Sequence, residues 1–103
     1  LLARLGGSAE ERLAWVQERL GRHAAAARHL VPVELTNVSP SDVLLFRWRA
    51  HLPAKHAAIL VAADRMVHAH DGAAVAEVYF ASFWRRRLAY AFQFPAIRRP
   101  DLA

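Results

Sequence analysis

Pro40-Ser41-Asp42-Val43-Leu44-Leu45-Phe46-Arg47-Trp48, then Lys55-His56-Ala57-Ala58-Ile59-Leu60-Val61, then Asp64-Arg65-Met66-Val67-His68-Ala69-His70 are the runs whose reading decides the fold. Each is short, apolar and of strand length. The link Ala62-Ala63-Asp64 is short enough to pair the second and third runs antiparallel. Side chains alternate between faces along a strand, so His56, Ala58 and Leu60 share one face. Met66, His68 and His70 share one face of the next strand. A three-residue loop pairs Val61 with Arg65, which sets His56 opposite His70 and diagonal to His68. Opposite Cβ atoms lie about 4.5–5.5 Å apart and diagonal residues about 7–8 Å. Three imidazoles can therefore converge, and the spacing leaves open which two interact.

Working outward, strands are predicted at Val43–Trp48, His56–Val61, Arg65–His70, Val75–Tyr79 and Leu88–Phe94, with Asp71-Gly72 a turn between the third and fourth. Ala81–Arg87 has room for one or two helical turns. In the last strand Leu88, Tyr90, Phe92 and Phe94 alternate with Ala89, Ala91 and Gln93, an aromatic stripe that reads as core. Pro95 ends it, and 96–103 reads as a tail. Towards the N-terminus, Ser8 to His29 reads as helix. Ser8 and Glu11 make a capping-box pattern after Gly6-Gly7. Leu13, Val16 and Leu20 recur at helical spacing, Ala24 and Ala27 continue the stripe, and Gly21 is a candidate break. Pro32 and Pro40 forbid helix between Leu30 and Pro40, which reads as a connector. The order is helices (1–30) followed by an antiparallel meander (40–95) in one domain spanning 1–103. That is an α+β chain with about five strands.

Composition limits the function classes. The chain has 103 residues, 55% of them apolar, enough for one modest core. No apolar run approaches the roughly 20 residues that span a membrane, and the first residues, Leu1 to Gly7, hold too short an apolar block for a signal peptide. The formal charge is +5, nearly all from arginine, with Lys55 the only lysine and Arg85-Arg86-Arg87 the one dense cluster. Such a balance favours anionic partners. A nucleic-acid-binding domain would show steeply salt-dependent binding, but no groove-reading motif is present, and no nucleic-acid partner is expected. There is no cysteine. Disulfides, thiolate metal sites and a cysteine nucleophile are therefore excluded within these residues.

Three chemistries fit the histidines. One imidazole can act as a general base while another polar group orients it. His68 and His70, two apart, can chelate a metal, with Asp71 and Glu77 near in sequence. Or the rings simply hydrogen-bond at the rim of the sheet.

The ordered motifs Ser41-Asp42-Val43-Leu44-Leu45-Phe46, His56-Ala57-Ala58-Ile59-Leu60-Val61 and Arg65-Met66-Val67-His68-Ala69 resemble the NlpC/P-sixty superfamily of papain-like cysteine peptidases, which cleave peptide links in bacterial peptidoglycan. That family has Gly-Asp-aliphatic-aromatic, then His-X-Gly-Ile-aromatic, then aliphatic-His-Ala. Trp84-Arg85-Arg86-Arg87-Leu88-Ala89-Tyr90 is similar to its run before the last strand. Leu52-Pro53-Ala54-Lys55-His56-Ala57 and Met66-Val67-His68-Ala69-His70 are most similar to the branch of phage tails and gene transfer agents. The likeness covers roughly Leu30 to Pro95 and implies a papain-like NlpC fold. It implies His56 as the catalytic base and His68, twelve positions on, as the residue that orients it, with His70 the alternative orienter. Asp42 matches a structural aspartate. No metal and no cofactor are implied.

Ser41 and Ala58 stand where the family has glycine. The nucleophilic cysteine is missing, and Ser8 is explained by capping. The chain is therefore expected to be the C-terminal portion of a longer domain whose cysteine-bearing segment precedes Leu1, the alternative being a copy that has lost the cysteine, and to be inactive alone. The resemblance implies a peptidoglycan endopeptidase of a phage-like tail tip. It would be made in the cytoplasm, act in the target cell's periplasm and dock on tail-tip or baseplate hub proteins. Arg47 or Arg65 would meet substrate carboxylates. The alternative is a non-catalytic structural or wall-binding module of the same fold.

Overall fold

A computed structural model describes residues 8–19, 23–69 and 74–95. The Gly6-Gly7 breaker, the Gly21 break, His70, the Asp71-Gly72 turn and the tail 96–103 lie outside the described residues. Helix α1 spans Ala9–Arg19 and α2 His23–His29. The capping box forms as the sequence predicts. Ser8 N donates to Glu11 Oε1 at 2.9 Å, and Glu11 N donates to Ser8 Oγ at 3.1 Å. Leu13 and Val16, three apart on one face, are fully buried. In α2 Ala26 is buried, while Ala27, one of the predicted stripe positions, is exposed.

Among the described residues six strands form one antiparallel sheet in the order β1-β6-β2-β3-β4-β5. They are β1 (Val31–Val33), β2 (Val43–Phe46), β3 (His56–Ala62), β4 (Arg65–His68), β5 (Ala76–Tyr79) and β6 (Leu88–Gln93). The fold is α+β. The extra strand is β1, which lies in the predicted connector and pairs with β6 at the sheet edge. Pro32 bars helix there but not an edge strand, where a missing N–H costs no ladder bond if it faces outward. A short 3-10 turn, Leu35–Asn37, follows. Trp48, Val75 and Phe94 fall just outside the strands predicted to contain them.

Both faces of the sheet are covered, which explains why β2 reads as an unbroken apolar run with all of its residues buried. On one face Val43, Leu45, Ala57, Ile59, Val67, Phe92 and Phe94 pack with Leu13, Val16, Ala26 and Leu30 from the helical part. On the other, Leu44, Phe46, Ala58, Leu60, Met66 and Ala91 pack with Phe80 and, at the margin, Trp84 and Leu88. The chain is not a simple meander. After β5, at one edge, it must return across the sheet to reach β6 between β1 and β2. The short helix α3 (Ser82–Arg85) lies on this return and roofs the second face.

Two registers depart from expectation. In β6 the partner of Leu45 is Tyr90 but that of Phe46 is Leu88, so Ala89 is an extra residue. This bulge breaks the predicted alternation, and Leu88 packs on the α3 face while Tyr90 and Phe92 pack on the α1 face. At the β3–β4 turn Ala62, not Val61, pairs with Arg65. Val61 is the irregular residue, which leaves Ala63-Asp64 as a tight two-residue turn. From Leu60–Met66 inward the pairing is the expected one, with Ala58 opposite His68.

Candidate active site

His56 opens β3 and His68 closes β4, so the two strands bring them to one end of the sheet. Because Ala58 faces His68, His56 lies diagonal to His68, and both project from the α3 face. The rings meet at 83° with centroids 5.1 Å apart, and His56 Nε2 lies 2.9 Å from His68 Nδ1. At that distance one nitrogen carries the hydrogen and the other accepts it. If His56 donates, its basic nitrogen is Nδ1. Protonating that atom leaves the bond to His68 intact, so His68 fixes the ring through the whole proton cycle.

The pair is enclosed, with His56 8% and His68 7% exposed. Trp84 stacks on His56 at 19° with a centroid distance of 5.4 Å and meets His68 edge-on at 5.0 Å. Phe46, the cross-strand neighbour of His56, lies 6.2 Å from it, and Trp48 closes another side at 5.2 Å. The sequence reading did not place Trp84 or Trp48 at this pair. Trp84 stood out only within a motif, because its position depends on the path of the return crossing.

α3 is tied down by arginines. Arg85 Nε donates to Phe80 O at 3.1 Å, and Arg87 Nη1 donates to Phe83 O at 2.8 Å. The guanidinium groups of Arg85 and Arg87 also lie over the Phe80 and Phe83 rings at 4.3 and 3.8 Å. Arg47 N donates to Arg87 O at 3.0 Å, linking this segment to the end of β2.

Other predicted residues fall elsewhere. Arg12, one turn into α1, donates to Ser41 Oγ at 3.0 Å, while Gln17 donates to Ala69 O at 3.2 Å. α1 therefore starts at the end of the sheet opposite the histidines and lies on its other face. Ser8 is a cap and lies far from His56. Arg65 is also at the far end, paired with Glu77, so the expectation that it meets substrate beside His56 is corrected. Arg47 is at the near end, but its Nη2 donates to Tyr90 Oη at 3.1 Å and its Nη1 to Ala50 O at 3.3 Å. Among the described residues no three His, Cys, Asp or Glu side chains gather as a metal site would require. His70, the alternative orienter, lies outside the described residues.

Asp42 is buried at the other end of β3. Its Oδ2 accepts from Ser39 N at 2.8 Å, and its carbonyl accepts from Leu60 N at 3.0 Å. Burial raises its carboxyl above the usual range, against the lowering effect of the Ser39 bond. Ser41 beside it has φ 85°, the left-handed region that glycine prefers.

No protein-family model matches the chain. No curated protein matches it either. A solved Staphylococcus aureus structure, described as similar to lipoprotein, NLP/P60 family, is similar to it at 18% identity with a TM-score of 0.49. The likeness covers 68% of this chain and 24% of that one, so the chain spans about a quarter of that protein's length.

Proposed function

We propose that the chain supplies the base and its orienting partner to a cysteine-type peptidase of the bacterial cell wall. The observation that carries this reading is the 2.9 Å bond between His56 Nε2 and His68 Nδ1 at adjoining strand ends. A base whose ring is held by a second polar group is what nucleophile activation needs. The ordered motif resemblance supports the same assignment.

In the proposed reaction His56 takes the proton of a thiol, and the thiolate sulfur attacks a peptide carbonyl carbon. As the C–N bond breaks, His56 returns the proton to the leaving amine. Water, deprotonated by His56, then cleaves the thioester. His68 accepts the His56 N–H throughout and keeps the imidazolium aligned. The thiol comes from outside these 103 residues, which hold no cysteine. We further propose peptidoglycan peptides as the substrate. The setting would be the tail tip of a phage or gene transfer agent acting in the target cell's periplasm, docked to hub proteins of the tail.

One observation favours a second reading. Both imidazoles are buried under Trp84 and Trp48, and a satisfied, shielded pair also suits a non-catalytic structural or wall-binding module. A cell-wall zymogram with the whole encoded protein separates the two. Clearing by wild type and none by His56→Ala supports the peptidase. Equal clearing by both removes His56 from the base role, and no clearing by wild type favours the module.

A further inference from the structure

The two edges of the sheet differ in character. β1 is three residues long with Pro32 at its centre, and proline has no N–H to offer a further strand. β5 has no such block, since 74–79 reads Ala-Val-Ala-Glu-Val-Tyr. Among the described residues no strand pairs with its outer edge.

The ladder decides which groups face outward. Phe80 N donates to Asp64 O at 2.7 Å. In the β4–β5 register the bonded pairs therefore continue at Met66–Val78 and His68–Ala76, and Arg65–Tyr79 and Val67–Glu77 are the non-bonded pairs. The backbone N–H and C=O of Glu77 and Tyr79 point away from β4, and by the same alternation so do those of Val75. Val75 is 41% exposed and Tyr79 62%. Glu77, the one charged residue among those described on this edge, is paired with Arg65, whose guanidinium also lies over the Tyr79 ring at 4.9 Å.

We propose that β5 is a self-association edge, on which a second copy of this chain pairs antiparallel about a two-fold axis through Glu77. The outward groups at Val75, Glu77 and Tyr79 are the ones this register bonds. It sets the exposed Val75 of one copy against the exposed Tyr79 of the other, covering apolar surface on both. The two Glu77 carboxylates meet at the axis, each accompanied by its own Arg65, so the charges at the centre cancel. An isologous contact of this kind closes on itself and continues the sheet from one copy into the next. The inference does not depend on the peptidase reading.

Sedimentation across a concentration series, with amide hydrogen exchange on the same samples, tests it. Wild type is expected to pass from monomer to dimer as concentration rises. The Glu77 and Tyr79 amides should slow in step, while the Val78 amide, bonded to β4, is protected throughout. Glu77→Lys brings two ammonium groups together beside two guanidiniums and should weaken association at least tenfold. Mixing it with wild type should give a mixed dimer stronger than that of the variant alone and weaker than that of wild type, because one carboxylate then meets the added ammonium beside the two guanidiniums. Val75→Lys, which disturbs no bond within the sheet, is the companion variant if Glu77→Lys does not fold, and should weaken association likewise. The proposal is overturned by a wild type that stays monomeric at every concentration, by a dimer whose Glu77 and Tyr79 amides exchange as in the monomer, or by a folded Glu77→Lys or Val75→Lys that associates as strongly as wild type.

Discussion

At the scale of single residues, the turn before β2 holds two opposed effects. Ser41 sits at φ 85°, which costs a non-glycine residue about 1–2 kcal/mol. Its hydroxyl is retained by Arg12 at 3.0 Å, a bond of about 1 kcal/mol net. Ser41→Ala loses the bond and keeps the strain, so it should destabilise by about 1 kcal/mol. Ser41→Gly loses the bond but relieves the strain, so it should stay near wild type. Urea denaturation of the pair checks this, and a glycine variant no more stable than the alanine one would contradict it. Asp42 gives a pH signature. Its folded carboxyl is raised by burial, so the folded state takes up the proton before the unfolded chain does. Ionised Asp42 therefore opposes folding at neutral pH, and its contribution improves as pH falls through the raised value. Asp42→Asn removes this dependence. Its stability relative to wild type should be more favourable at pH 7 than at pH 3, and the reverse order would contradict the burial argument.

At the scale of elements, the capping box, the three central strands and their inward register were legible because each rests on local chemistry. Ser8 with Glu11, the short turn after β3, and the period of two along His56–Leu60 needed no knowledge of the rest of the molecule. Strand β1 was hidden because Pro32 signals a connector and an edge strand equally. The bulge at Ala89 was hidden because alternation along β6 looks uninterrupted in sequence. The roof was hidden for a different reason, since the place of Trp84 follows from the return path between β5 and β6. Trp84 touches Phe46, Trp48, His56 and His68 at once. Trp84→Ala opens that side of the pair and should cost about 2–4 kcal/mol, somewhat below a fully buried tryptophan. A loss under about 0.5 kcal/mol in a denaturant titration would show that α3 does not seal the face.

At the scale of the whole molecule, one sheet separates two unlike environments. The α1 face is an apolar core, and the α3 face holds the His56–His68 bond within an aromatic enclosure. The convergence of His56 with the histidines of the next strand was legible in the sequence, since the register follows from a turn and a period, but the choice of His68 came only with the motif resemblance. The rings of His56 and His68 meet in the structure, while His70, the alternative orienter, lies outside the described residues. What the sequence could not reveal is that α1 starts at the opposite end of the sheet, on the other face. On the proposed reading, this removes its N-terminus as a place for the nucleophile, and the thiol would approach His56 by another route. The most direct test is the rate of cell-wall hydrolysis by the whole encoded protein with His56 and His68 varied. His56→Ala should lower the rate by about 10²–10⁴-fold, the range of a lost general base. His68→Asn keeps an acceptor for the His56 N–H and should retain more activity than His68→Ala. A His56→Ala protein as active as wild type, or His68→Asn and His68→Ala variants with unchanged rates, would contradict a base held by its neighbour.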